Sequence, residues 1–228
     1  MRIKLDVIIP ALNEEEAIAA TIGDIPVERL REIGYETEII FVDNGSTDNT
    51  IRIAETLGAT VVHQPLPGYG NAYHKGFSYA SGDIIACGDA DHTYPFYDLP
   101  RLLSIMEEKQ ADFITTDRLS NLNPESMKFI NMVGNKFLSR LIRAFYRVPI
   151  KDTQSGMWVF RKEILGKMFL TSPGMEFTQE IKIEAYRRGV KCLEVPIHYR
   201  KRKGETKLKP FRDGIRNIVF MAKSKRHS

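Results

Sequence analysis

The sequence predicts an α/β fold, a mainly parallel central sheet with helices packed on both faces. Three observations carry that expectation. Short apolar, β-branched runs alternate with helical stretches from Val7 to Thr115, the pattern of successive strand–helix–strand units. A polar cluster follows each of the first four runs, as loops do at the carboxyl edge of such a sheet. With 228 residues, 43% of them hydrophobic, and no internal repeat or low-complexity tract, residues 1–228 suffice for one large domain with its own core.

The first strand is Val7-Ile8-Ile9, whose unbroken apolar character fits burial on both faces. A helix is expected from Glu14 to about Ile25, and a strand over Glu38-Ile39-Ile40-Phe41-Val42. Thr47 to Leu57 reads as a helix with Asp48 near its start, where a carboxylate caps free amides. Thr60-Val61-Val62 is the third strand, Asn71 to Ala80 the third helix and Ile84 to Cys87 the fourth strand. Leu99 to Glu108 is a helix and Phe113-Ile114-Thr115 a strand. The second half differs. Residues 128–147 place Phe129, Met132, Val133, Phe137, Leu141, Ile142 and Phe145 among Lys128, Lys136, Arg140, Arg143 and Arg147, an amphipathic helix that either packs on the core or lies at a membrane interface. An apolar helix bordered by Glu176 and Glu180 precedes Cys192, and a last amphipathic helix runs from roughly Phe211 to Lys223.

Composition narrows the function classes. Cys87 and Cys192 are too few for a disulfide framework, which points to a reducing compartment. The chain enters Leu5-Asp6-Val7-Ile8-Ile9 almost at once, so no signal peptide is expected, and no apolar stretch approaches the roughly 20 residues that span a bilayer. Residues 200–226 hold eleven Lys and Arg against Glu205 and Asp213, a local excess of nine; the formal net charge is +4, so the remainder carries −5. Such a tail is either a solvated helix or a contact for anionic groups. No helix-turn-helix, zinc or RNA-binding signature accompanies it, so no nucleic-acid partner is expected.

The most telling motif is Asp89-Ala90-Asp91, just beyond the fourth strand. Two carboxylates one residue apart in an extended chain point the same way and repel unless a cation or proton relieves them. Their hard oxygens suit Mg²⁺ or Mn²⁺, which also bind phosphates. Asn13-Glu14, Asp43-Asn44-Gly45-Ser46-Thr47-Asp48 and Pro67-Gly68-Tyr69-Gly70-Asn71 follow strands one to three, so all four loops converge on one rim.

Together these motifs resemble the family 2 glycosyltransferases of the GT-A fold, a Rossmann-like nucleotide-sugar-binding architecture. Pro10-Ala11-Leu12-Asn13-Glu14 resembles the family's opening Pro-x-x-Asn-Glu, and Val42-Asp43-Asn44-Gly45-Ser46-Thr47-Asp48 its Val-Asp-Asp-Gly-Ser-x-Asp. Gly70-Asn71-Ala72 resembles the Gly-rich loop before the third helix, and Asp89-Ala90-Asp91 matches the Asp-x-Asp. Asp152-Thr153-Gln154-Ser155-Gly156 and Arg202-Lys203-Gly204-Glu205-Thr206-Lys207 look like the branch of dolichyl-phosphate mannose and glucose synthases. Two positions depart. Asn44 stands where the family often has a second Asp, and Thr93 where some mannosyl enzymes place a metal-binding Gln.

The resemblance implies metal-dependent, inverting transfer of a hexose from a UDP- or GDP-linked donor to dolichyl or another polyprenyl phosphate. The enzyme would sit peripherally on the cytoplasmic face of a membrane. Residues up to about 118 would bind the donor, and residues 119–228 the acceptor. Pro10, Leu12, Asn13, Glu14, Val42, Asp43, Asn44, Gly70, Asn71, Asp89, Ala90, Asp91, Arg118 and Arg202 are the expected nucleotide-sugar contacts. Asp91 would hold the metal, with Asp89 either assisting or holding the ribose. Arg118, Arg202 and Lys207 are candidate cations for the diphosphate and acceptor phosphate, and Asn135, Arg140 and Arg143 candidates for the lipid phosphate. A phosphate acceptor needs no strong base, so Asp152 would orient the sugar or an arginine; a hydroxyl acceptor would make it the first candidate base. It is equally placed to cap a turn before Ser155-Gly156, as Glu14 and Asp43 are to cap the helices that follow them. Rival readings are a same-fold enzyme acting on a glycan or soluble hydroxyl, a sugar-nucleotide pyrophosphorylase, whose usual Gly-rich first loop is absent, and a non-catalytic membrane-binding module.

Overall fold

The computed structural model describes residues 2–123, 125–127, 129–204 and 220. Its centre is a seven-stranded sheet built from β1 (Ile3–Ala11), β2 (Tyr35–Asp43), β3 (Thr60–His63), β4 (Ile84–Cys87), β5 (Phe113–Asp117), β6 (Trp158–Arg161) and β7 (Cys192–Pro196), in the order β3-β2-β1-β4-β6-β5-β7. All pairings are parallel except those of β6, which runs antiparallel to both β4 and β5. Strands β1 to β4 therefore end on one edge, with Ala11 beside Asp43 and Ile8 beside Cys87.

Period-2 alternation divides the core. Leu5, Val7 and Ile9 of β1 face one layer with Phe41, Leu102 and Val159, while Ile8 faces the other with Val42, Tyr73, Trp158 and Phe177. The helices are α1 (Ile18–Gly23), α2 (Val27–Glu32), α3 (Thr50–Thr56), α4 (Tyr69–Tyr79), α5 (Leu99–Lys109), α6 (Phe129–Tyr146) and α7 (Phe177–Arg187).

Two helices start later than their sequence suggests, for one reason. The Glu14 amide donates to Thr50 Oγ1 at 2.8 Å, and Asp48 Oδ1 accepts the Thr50 amide at 3.0 Å. Side-chain acceptors thus take up the first amides and hold residues 14–17 in a turn and 47–49 outside the helix. Helix α2, which the sequence did not announce, buries Leu30 alone. The last predicted helix, Phe211 to Lys223, lies outside the described residues apart from Phe220.

Helix α6 is amphipathic as expected, with one side on the core and the other in solvent. Ser139 and Ile142 are buried, and Ile142 packs with Val148, Ile150 and Ile183. Phe129 and Phe137 stay 74% and 61% exposed, with Ile130, Val133, Leu141 and Phe145 also in solvent. Arg140 and Arg143 are exposed as well. Among the described residues, no helix is long and apolar enough to cross a membrane.

Candidate active site

The first three rim loops are laced to one another by the side chains expected to meet the nucleotide. Asn13 sits at φ 51°, its amide donates to Ser46 Oγ at 3.0 Å, and its Oδ1 accepts the Thr47 amide at 2.7 Å. Asp43 accepts the amides of Ser46 and Gly45 at 2.9 and 3.2 Å. Burial opposes its charge, but those bonds outweigh burial and hold its carboxyl below the ordinary range. Asn44 Nδ2 donates to the carbonyls of Gln64 and Leu66 at 3.0 and 2.8 Å, while its Oδ1 accepts the Gly68 amide at 2.7 Å. An aspartate could not make the first two bonds, which gives this departure from the family pattern a structural reason. Pro10, Val42 and Ala90 are buried, so their side chains serve the core; Leu12 is 40% exposed at the rim.

The third loop meets a segment before α7. The Asn71 amide donates to Pro173 O at 3.1 Å, and a Cβ on Gly70 would stand 2.0 Å from Ser172 O, so only glycine allows this approach. Glu180 on α7 fixes that segment by accepting the amides of Thr171 and Ser172 at 3.1 and 2.9 Å.

The Asp-x-Asp pair lies just past β4. Asp89 Oδ1 accepts a hydrogen bond from the Tyr69 hydroxyl at 2.8 Å. Burial first, and then the charge of Asp91, raise its pKa to about 7 against the pull of Tyr69, Arg202 and Arg118. Asp91 Oδ1 accepts from the Thr93 amide and hydroxyl at 3.1 and 2.6 Å, so Thr93 orients the carboxylate. Asp91 Oδ2 faces Arg202 at 2.9 Å, and the same guanidinium reaches Glu14 Oε1. Arg202 thereby joins the first loop to the Asp-x-Asp across more than a hundred residues. Around it, residues 199–203 lie along the loop after β4: the Arg200 amide donates to Thr93 O at 2.9 Å, the Lys203 amide to Asp91 O at 3.2 Å, and the Arg200 guanidinium to Asp24 and to Tyr94 O.

Arg118 and Asp152 form a bidentate pair, Nε to Oδ2 at 2.7 Å and Nη2 to Oδ1 at 2.9 Å. Asp152 is wholly buried and Arg118 nearly so, with its guanidinium 5.1 Å from the Tyr199 ring centre. Burial works against the Asp152 charge, but Arg118 more than offsets it, and the carboxyl stays below its ordinary range. Gly156 brings the Asp152–Gly156 motif to the Asp-x-Asp. Its amide donates to the Tyr94 hydroxyl at 2.6 Å, and a Cβ there would lie 2.6 Å from the Tyr69 hydroxyl and 3.4 Å from Asp89 Oδ1.

The structure thus brings together Glu14, Asp89, Asp91 and Arg202, with the Arg118–Asp152 pair beneath the same aromatic residues. Asn135, Arg140 and Arg143 lie apart on α6, where Asn135 donates to Met127 Sδ at 3.6 Å. Lys207 lies outside the described residues. Tyr69, Tyr94 and Tyr199 went unnoticed in the sequence; only Tyr69 carried a signal, its place inside the Gly-rich loop. Among the described residues, no three carboxylate, imidazole or thiolate side chains gather as a metal cluster.

Comparison with known proteins adds three findings. The family model described as "Glycosyl transferase family 2" matches residues 6–169. The chain is 39% identical over 219 residues to the low-salt glycan biosynthesis hexosyltransferase Agl6 of Haloferax volcanii, covering 95% of this chain but 52%, about half, of that relative's length. It is 34% identical over 210 residues to a dolichyl-phosphate hexose transferase of the same organism, covering 92% of this chain and 89% of that one. Among solved structures, the Mycobacterium tuberculosis glucosyl-3-phosphoglycerate synthase, crystallised with Mn²⁺, UDP and glucosyl-3-phosphoglycerate, superposes with a TM-score of 0.74 at 24% identity over 97% of this chain and 79% of that one, which places the fold as GT-A.

Proposed function

The chain belongs to glycosyl transferase family 2 and is a glycosyltransferase, and from that premise we propose that it moves a hexose from a nucleoside-diphosphate sugar to a dolichyl or related polyprenyl phosphate at a membrane surface. The observation that carries this reading is the state of Asp152. Its carboxylate is engaged by Arg118, is wholly buried and is held below the ordinary carboxylate range, all of which make it a weak proton acceptor. Glu180 is engaged with main-chain amides. A phosphate acceptor is already anionic and requires no base. One of its oxygens would attack the anomeric carbon, the bond to the diphosphate would break, and the configuration would invert.

Arg118 and Arg202 are the cations proposed to receive the diphosphate and the acceptor phosphate, with Lys207 as a third. The base and ribose would rest at Pro10–Glu14 and Val42–Asn44, largely on main-chain atoms and Glu14, since Asn13, Asp43 and Asn44 are engaged in lacing. Gly70, Asn71 and Ala90 would line the same cleft through their backbone. Asp91, with Asp89, would hold Mg²⁺ or Mn²⁺, which as a Lewis acid would offset charge on the leaving diphosphate. The donor set fits: such ions use one or two carboxylates and take their other oxygens from phosphates and water, and Asp91 already faces a cation in Arg202.

The exposed apolar flank of α6 beside Arg140 and Arg143 supports peripheral contact with an anionic leaflet, on the cytoplasmic face in this reading. So does the name of the 34%-identical relative, which specifies dolichyl phosphate. The test supplies radiolabelled UDP-glucose and GDP-mannose with Mn²⁺ and offers dolichyl phosphate in vesicles or soluble glycan acceptors. Label in the lipid extract is expected. Label confined to the soluble acceptors overturns the lipid-phosphate reading.

A further inference from the structure

Lys182 lies on α7 with no exposed surface, a rare place for a lysine. Its Nζ donates to the main-chain carbonyl of Asp152 at 2.8 Å. Four charged groups face it: the Asp152 carboxylate, Arg118 beyond β5, Asp117 at the end of β5 and Glu194 on β7. Burial lowers its pKa to about 7, with Asp152, Glu194 and Asp117 raising it and Arg118 pressing it down. Glu194 grips the other side of the same residue. Its carboxylate accepts the Asp152 amide at 2.9 Å and the Lys151 amide at 2.9 Å, and burial raises its own pKa. Asp152 is thus held by its carbonyl from α7, by its amide from β7 and by its side chain at Arg118.

Filling space at this depth would be served by Leu or Met, and a buried ammonium is costly beside them. What those residues cannot supply is a donor to the Asp152 carbonyl. We propose that Lys182 is a positioning residue for sugar transfer: paired with Glu194 it fixes the Asp152 peptide, and so the plane in which Asp152 presents the Arg118 guanidinium to the site. Asp152 occupies Nε and one Nη2 hydrogen, so the direction of the three remaining donors follows the carboxylate plane. Misplacing such a group by about 1 Å costs on the order of a hundredfold in rate. The inference rests on the reading of Arg118 as a phosphate contact.

The experiment compares the wild-type chain with Lys182→Met, Lys182→Arg and Arg118→Lys in two readouts. The first is the Arg118 Nε–Hε resonance between pH 6 and 9, assigned by its loss in Arg118→Lys. In an Asp89→Asn background, which removes the other group acting on Arg118 that titrates near 7, it should shift with a midpoint near the pH where Lys182 deprotonates, about 7, and stay constant once Lys182→Met is added. The second is transfer from UDP-glucose and GDP-mannose to dolichyl phosphate in vesicles with Mn²⁺. Lys182→Met should melt no lower than wild type, lose roughly ten- to a hundredfold in kcat with donor KM little changed, and lose the wild-type decline in kcat above pH 7. Lys182→Arg, which keeps its charge throughout, should retain activity to higher pH. If Lys182→Met does not fold, Lys182→Arg decides through the resonance and the pH profile. A resonance with the same pH course in that background with and without the Lys182 substitutions, or a Lys182→Met enzyme with wild-type kcat and profile, overturns the proposal. Wild-type rates in Arg118→Lys would instead remove the phosphate role of Arg118.

Discussion

Replacing Arg202 with methionine should change two affinities in opposite directions. Asp91 Oδ2 accepts from Arg202 Nη1 at 2.9 Å, and the same guanidinium holds Glu14. A metal ion arriving at Asp91 must displace that contact. A hydrogen bond between charged groups contributes about 1.5–3 kcal/mol, and the Arg202 side chain is only 23% exposed, so solvent screening takes little of it. At about 1.4 kcal/mol per factor of ten, Arg202→Met should bind Mn²⁺ alone roughly ten- to a hundredfold more tightly. The methionine also leaves Glu14 and Asp91 without a shared counter-charge, which strengthens their hold on a cation. With Mn²⁺ present, the same variant should bind UDP or GDP less tightly, by a similar factor, if Arg202 makes the phosphate contact proposed for it. Titration of free Mn²⁺ by electron paramagnetic resonance reads the first effect, and calorimetry with each nucleotide reads the second. Mn²⁺ affinity equal to or below wild type would show that Arg202 and the metal do not compete for Asp91, and would refute the reasoning.

Four further outcomes are expected. Asn44→Asp should lower stability by about 1–3 kcal/mol, since it sets a carboxylate against the carbonyls of Gln64 and Leu66; an unchanged urea midpoint would show that the lacing contributes nothing. Asp89, with a pKa raised to about 7, is protonated below that pH, so Mn²⁺ must displace a proton there. Affinity should fall as pH drops from 7 toward 6, and calorimetry in two buffers should register proton release at pH 6 but not at pH 8. By the same sign, Asp89 without a metal is more protonated in the fold than in the unfolded chain between the ordinary carboxylate pKa and 7, so its own contribution to stability should decline as pH rises through that window, read as a stability difference between wild type and Asp89→Asn. Replacing Arg140 and Arg143 with glutamine should weaken binding to anionic vesicles by roughly 1 kcal/mol per residue while nucleotide binding holds; loss of both together would assign α6 to the core instead.

The first half of the fold was legible in the sequence because each of its signals is local. Val7-Ile8-Ile9 and Ile84 to Cys87 carry their strand character in consecutive residues, and the polar clusters after them mark the edge directly. What the sequence did not disclose depends on distance along the chain. Nothing near Asp91 announces Arg202, and nothing near Asp152 announces Lys182 or Glu194. Strand β6 escaped because Trp158-Val159-Phe160-Arg161 is short and finds its place only by pairing antiparallel with both β4 and β5. Asn13 is expected at the nucleotide, and Asp43 there or as a cap; in the fold Asn13 ties the first rim loop to the second, which appears only when neighbouring strand ends are adjacent, while Asp43 holds its own loop through the amides of Gly45 and Ser46.

The antiparallel β6 explains how one edge of the sheet can hold both halves of the proposed site. Reversing a single strand lets Asp152–Gly156, which leads into β6, arrive at the edge where β4 and β5 end, so Asp152 meets Arg118 and Gly156 meets Asp89 without a long crossover. The same turn touches α6 through Thr153, whose amide donates to Ser139 Oγ at 3.1 Å while the two hydroxyls stand 3.0 Å apart. Ser139 is one of two buried side chains described on a helix whose phenylalanines otherwise face solvent. One of the residues that join α6 to the fold is therefore in contact with the neighbour of Asp152. A surface that engaged the exposed flank of α6 would bear on a helix whose Ser139 contacts the neighbour of Asp152, the partner of Arg118.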